Sequence, residues 1–198
     1  MLDFTPVRHK TVTMQEFATA LSRHQLRQFT DESVARMVAL LDACTDADVT
    51  FIPDDPDARD DAAADPNNRA LAWTLGHNVV HATASAEEYA AVATEFARGV
   101  PFHGRPRYET PWQQVTTVAQ CCQRLIESRR IRLASLDMWP DEPHLNVGTV
   151  YWDGSGWVNA VGMFVWGLAH DDDHERQMQK IVRQAHAART PPSPHTPI

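Results

Sequence analysis

The sequence predicts an all-α fold: a four-helix bundle with long connections and a small β-hairpin before the last helix. Three observations carry that prediction. Apolar residues recur at three- and four-residue steps in four separate segments, the pattern of helices that bury one face. Three of those segments open on a threonine suited to capping a helix. The stretches between them are rich in Pro, Gly and Asp, which interrupt helical periodicity. With 198 residues, 43% of them hydrophobic, the chain can bury roughly 70% of its unfolded surface in one core. Residues 1–189 are read as a single helical-bundle domain.

The first helical segment opens at Thr13-Met14-Gln15-Glu16, a Thr-x-x-Glu capping box followed on one face by Phe17 and Leu21. A second start near Thr30 leads Val34, Met37, Val38, Leu41 and Cys44, and residues 14–44 fit either one helix or two. Residues 45–69 hold eight aspartates and three prolines and read as a solvated loop; they lack the Asp-x-Asp-x-Asn-Gly order of a calcium loop. Thr74 caps the next helix, which ends near Arg98 with Gly99 as its stop. After a loop at 99–109, Thr110-Pro111-Trp112-Gln113 gives the third start, with Pro at the first helical position. Its stripe is Val115, Val118, Cys122, Leu125 and Leu136. Thr149–Trp152 and the Asp153-Gly154-Ser155-Gly156 turn predict a short hairpin closed by Trp157. The last helix runs from about Asn159 to Ala188, and the tail at 190–198, with four prolines, is expected to be disordered.

Charge excludes several classes. Eighteen basic against 26 acidic side chains leave a net charge of -8, which argues against nucleic acid and anionic membranes as partners. No stretch approaches the roughly 20 apolar residues of a membrane span. The N-terminal residues lack the apolar region of a secretory signal. Three cysteines, two of them adjacent, do not read as a disulfide framework, so a reduced, cytoplasmic protein is expected.

Ten histidines include two His-x-x-x-His pairs, His77 with His81 and His170 with His174. Positions four apart share one face of a helix, so two imidazoles can converge on one cation. The second pair lies on an otherwise largely apolar stripe with Met163, Trp166, Gln177 and Ile181. Two inward imidazoles without partners would cost several kcal/mol, and a metal would satisfy both. Asp171, Asp172 and Asp173 between them fit a plain solvated acidic helix equally well.

Trp73-Thr74-Leu75-Gly76-His77-Asn78-Val79-Val80-His81 resembles the second-helix segment of the DinB/YfiT-like superfamily, in which a ligand His follows the Trp by eight residues. His170-Asp171-Asp172-Asp173-His174-Glu175-Arg176-Gln177 resembles that superfamily's last-helix signature, His-x-x-x-His-x-x-Gln. The resemblance spans helix order from about residue 14 to 186, although its specific motifs cover only about twenty residues. It implies a four-helix bundle in which His81, His170 and His174 hold a divalent metal. His77 stands where many members carry Glu; a fourth ligand, a group behind the ligands and a general base are its three readings. Gln177 matches the motif one turn past His174.

Three imidazoles leave an ion its full charge and an open position, the arrangement of a catalytic site. Zinc or nickel suits that donor set best, with iron, copper and manganese also eligible. The resemblance implies a thiol S-transferase: a low-molecular-weight thiol such as bacillithiol, mycothiol or glutathione, activated at the metal, attacks a small electrophile. His77 is the candidate for proton transfer, and Arg105 or Arg107 for holding an anionic substrate group, against the plainer reading of surface charge. A metal-dependent hydrolase is the alternative enzyme. A non-catalytic metal-binding or stress-response protein, with a homodimer through an exposed helix face as one form, is the alternative class, distinguished by whether Asp171, Asp173 or His77 closes the fourth position. Cys122 is expected to be buried and Cys121 to point elsewhere, with Arg124 the one group able to activate it. Trp112, Trp139, Trp152 and Trp157 are candidates to line a pocket or simply to pack.

Overall fold

Small side chains decide which helix is packed most closely. The segment Leu75–Ala97 carries Ala82, Ala84, Ala86, Ala90, Ala93 and Ala97, all buried, so neighbouring helices approach it closely on several sides. The computed structural model describes residues 2–56, 58–59, 67 and 69–189. The proline-rich tail expected to be disordered lies outside the described residues, as does much of the acidic loop. In chain order the elements are α1 (Thr5–Arg8), α2 (Met14–Ala18), α3 (Arg23–Leu41), α4 (Asp46–Val49), α5 (Leu75–Ala97), a 3-10 turn at Trp112–Gln114, α6 (Val118–Asp137), β1 (Gly148–Val150), β2 (Trp157–Asn159) and α7 (Ala160–Arg189). α5 packs against α6 and α7, and α3 packs against the same two. The four long helices therefore run around the bundle in the order α3, α6, α5, α7. None of the described helices is long and apolar enough to cross a membrane.

Capping chemistry explains where the helices begin. The Thr13 box forms as expected, with Glu16 Oε2 accepting the Thr13 N–H at 2.8 Å. The segment from 14 to 44 is two helices, and the second starts at Ser22 instead of Thr30. Ser22 and Gln25 make a reciprocal box, whereas Thr30 lies buried inside α3 and donates its hydroxyl to Leu26 O at 2.8 Å. The third long helix also starts later than the Thr110-Pro111 signal predicts. Pro111 and Val115 keep extended ψ values, the segment makes one 3-10 turn, and the Thr117–Gln120 box opens α6. A Cβ on Gly76 would lie 2.3 Å from Val115 O; the extended chain docks its carbonyl directly on the first turn of α5. Each box typically contributes about 1 kcal/mol.

The later start of α6 changes the cysteine assignment. Cys121, Leu125, Ser128, Arg132 and Ser135 form its buried face, so Cys121 is fully buried and Cys122 only half-buried. Burial pushes the Cys121 thiol up to about 12, and Arg124 is engaged by Glu87 and by Thr83 Oγ1 instead. Cys121 is therefore not an activated thiol. The hairpin is present, antiparallel, with Gly148 opposite Asn159 and Val150 opposite Trp157. Asn159 then opens α7 by accepting the Val161 and Gly162 N–H groups on its side-chain oxygen.

The core is divided in two. One cluster gathers Leu26, Phe96, Leu136, Trp139, Met163 and Phe164 at the hairpin end. The other gathers Met37, Leu41, Val79, Leu125, Met178 and Ile181. Between them every long helix contributes polar residues: Thr30 and Ser33 from α3, Ser128 and Arg132 from α6, Thr83, Ser85 and Glu88 from α5, Asp171 from α7. This polar belt contains the candidate site.

Candidate metal centre

On α5 the polar belt is a stripe: His77, His81, Ser85 and Glu88 recur at four, four and three residues, so they stack along one side of the helix. On α7 the matching positions are His170 and His174. Where α5 and α7 face each other, one ring nitrogen from each of His81, His170 and His174 lies within 4.8 Å of the other two. The His170 and His174 Nε2 atoms are 3.2 Å apart, close to the spacing of about 3.3 Å set by a tetrahedral ion with bonds near 2.0 Å. No fourth His, Cys, Asp or Glu joins this group among the described residues.

Burial keeps the three rings neutral. It is the largest influence on His81, whose pKa falls to about 2, with further contributions from His174 and Arg107. His170 is held well below its ordinary value by burial and by His174 and His81. His174 is lowered by burial, partly opposed by its contact with Gln177. Neutral imidazoles with free lone pairs are the form that binds a divalent ion. The donor set and its spacing thus fit a metal held through the Nε2 atoms of His170 and His174 and a ring nitrogen of His81.

Contacts behind the rings fix their orientation. Gln177 Oε1 lies 3.1 Å from His174 Nδ1 and accepts a hydrogen bond from Asn78 Nδ2 at 2.7 Å. The Trp73 ring lies against His81 at 4.5 Å and against His174 at 5.7 Å, the latter in parallel stacking. His77 is not part of the trio. It is 5% exposed and held between the rings of Trp73 and Trp112, at 4.4 and 4.7 Å. Of the four tryptophans considered as pocket residues, Trp112 reaches the site through His77, Trp139 is buried in the core, and Trp152 and Trp157 are partly exposed.

Neither acidic neighbour reaches the rings. Asp171 is not solvated: it faces α3 and α6, accepting from Arg132 Nη1 at 2.5 Å and from Ser33 Oγ at 3.2 Å. Asp172 and Asp173 are drawn to the opposite side by Arg8. The loop arginines are likewise committed. Arg105 donates to both oxygens of Glu88, and Arg107 donates to Ser85, Glu88 and Glu109 while its Nη2 lies 3.3 Å from His81 Nδ1. Burial works to raise the Glu88 pKa, but hydrogen bonds from Arg105 and Tyr151 outweigh it, and the carboxyl stays below its ordinary value. Glu88 and Tyr151 escaped the sequence reading. The signal for Glu88 was present, since it continues the His77–His81 stripe by seven residues from His81; Tyr151 depends on the hairpin's path and has no local signature. A cavity of about 240 Å³ opens beside the trio, lined by Trp73, His174, Gln177, Leu71, Asp55 and Arg59.

A protein-family model described as the DinB superfamily matches residues 14–178, a span that includes α2 through most of α7 and all three histidines. No curated protein matches the chain significantly. No solved structure does so either. The match covers well over half of the chain, and this chain belongs to the DinB superfamily.

Proposed function

We propose that this chain is a divalent-metal-dependent enzyme that transfers a low-molecular-weight thiol to a small electrophile in the cytoplasm. The trio carries the reading: three neutral imidazoles in one group, no fourth protein ligand among the described residues, and a cavity along one flank. An ion held there, zinc or nickel by donor type, supplies positive charge that brings the pKa of a bound thiol or water toward neutrality. Asn78 and Gln177 hold His174 with its Nε2 toward His170. Trp73 covers the rings and excludes water from that side. Asp55, paired with Lys180 Nζ at 2.9 Å, and Arg59 line the cavity and make its mouth polar and charged. His77 positions Trp73 from its place between two indoles. Glu109, paired with Arg107 and with Oε2 3.8 Å from His81 Nδ1, is the nearest carboxylate to the trio among the described residues. That carboxylate favours one second reading, hydrolysis by activated water.

The test is a panel of glutathione, mycothiol and bacillithiol with a model alkylating electrophile, using zinc- and nickel-loaded protein. The reading expects consumption of at least one thiol above background, lost in His174→Ala. Metal-loaded protein that consumes no thiol but hydrolyses ester or amide substrates would overturn it in favour of the hydrolase.

A further inference from the structure

The described residues hold a second group of metal-capable side chains, Cys44, Asp48 and His186. His186 lies twelve residues beyond His174 on α7, about 18 Å along the helix, so this group is separate from the trio. It also lies past residue 178, where the family match ends.

We propose that Cys44, Asp48 and His186 form a second metal site that takes one thiophilic divalent cation of the zinc class. The sulfur, one carboxylate oxygen and one imidazole nitrogen lie within 4.8 Å of one another. A tetrahedral ion with bonds of 2.0–2.3 Å sets them about 3.3–3.8 Å apart, so side-chain rotation alone closes the difference. Thiolate, imidazole and carboxylate together are a zinc donor set.

The carboxylate is already oriented. Asp48 is 2% exposed; its Oδ2 accepts from Thr45 N at 2.6 Å and Thr45 Oγ1 at 2.9 Å, and its Oδ1 pairs with Arg189 Nε at 3.1 Å. A carboxylate offers about four lone-pair positions, so three are used and one remains for a ligand bond. Such outer contacts are what hold metal-binding carboxylates in place. Cys44 donates its S–H to Leu40 O at 3.3 Å. On binding, that S–H bond breaks, its proton passes to solvent and a sulfur–metal bond forms. Thiolate and carboxylate then offset the ion's two charges, and Arg189 beside Asp48 leaves the site with one net positive charge. The site ties the last turns of α7 to the corner between α3 and α4, and is independent of the trio's function.

Cobalt(II) titration of the metal-free full-length chain tests it, because thiolate-to-cobalt charge transfer in the near ultraviolet cannot arise from three histidines. The proposal expects the band to saturate by two equivalents per chain, one cobalt at each site, and to vanish in Cys44→Ser but not in Cys122→Ser. It expects His186→Ala to weaken the affinity read from that band by at least about tenfold. Far-ultraviolet circular dichroism establishes that each variant folds. Absence of the band in the folded wild type, or its survival in Cys44→Ser, overturns the proposal.

Discussion

Gln177 Oε1 sits 3.1 Å from His174 Nδ1 and accepts the ring N–H there, which leaves Nε2 to face His170. Asn78 on α5 holds that oxygen from the other side, so a contact between helices sets the tautomer of the proposed ligand. Removing such a contact typically weakens metal affinity by about 10–100-fold. Gln177→Ala is expected to fall in that range while leaving the melting temperature of the metal-free chain nearly unchanged. Calorimetric zinc titration in the Cys44→Ser background checks this; an affinity unchanged by Gln177→Ala there would show that the contact does not orient the ring.

Arg132 and Asp171 are 3% and 1% exposed and meet at 2.5 Å. Breaking a buried pair leaves one charge uncompensated and costs about 3–5 kcal/mol. Asp171→Ala is expected to lose that much in urea unfolding, and the double substitution Arg132→Met with Asp171→Leu to lose less. A single variant as stable as wild type would contradict the account of the polar belt.

Gly76 stands where α5 meets the extended chain at Val115. A methyl group there would press on Val115 O at 2.3 Å with Val49 Cγ1 at 3.2 Å, and backbone cannot swing aside as a side chain can. Gly76→Ala should therefore destabilise by about 1–3 kcal/mol, despite the better helix propensity of alanine. Urea midpoints decide the sign.

The depressed histidines give the metal-free protein a pH dependence. His81 titrates at about 2 when folded, against 6.5 ordinarily, and His170 and His174 are also lowered. Above pH 6.5 both folded and unfolded forms are neutral and nothing is lost. Below it the unfolded chain takes up protons that the folded chain refuses, so stability falls with pH. Carboxylates titrate mostly below about 5, and melting temperature between pH 6.5 and 5 isolates the effect. A flat profile there would mean the rings are not buried in the neutral form.

The legible parts of this molecule were those governed by local spacing. The pairs His77/His81 and His170/His174 stood out because a four-residue step places two rings on one helical face, the Thr13 and Thr74 caps because they are local, and the choice of His81 as third ligand rested on the family resemblance. The start of α6 was misplaced because two Thr-and-Gln signals lie within eight residues, and the choice depends on Val115 docking over Gly76. The Ser22 box at the head of α3 was passed over for the same reason, competition between nearby starts. Asp171 looked solvated because its partner, Arg132, is 39 residues away on another helix. Which acid faces inward is a property of the assembled bundle.

The central claim is that three imidazoles from α5 and α7 grip one ion, and the most direct measurement is zinc affinity of the tag-free, metal-free Cys44→Ser chain, in which the trio is read alone. His81→Ala, His170→Ala and His174→Ala in that background are each expected to weaken binding by at least about tenfold. Unchanged affinity and stoichiometry in any one of the three would contradict the assignment.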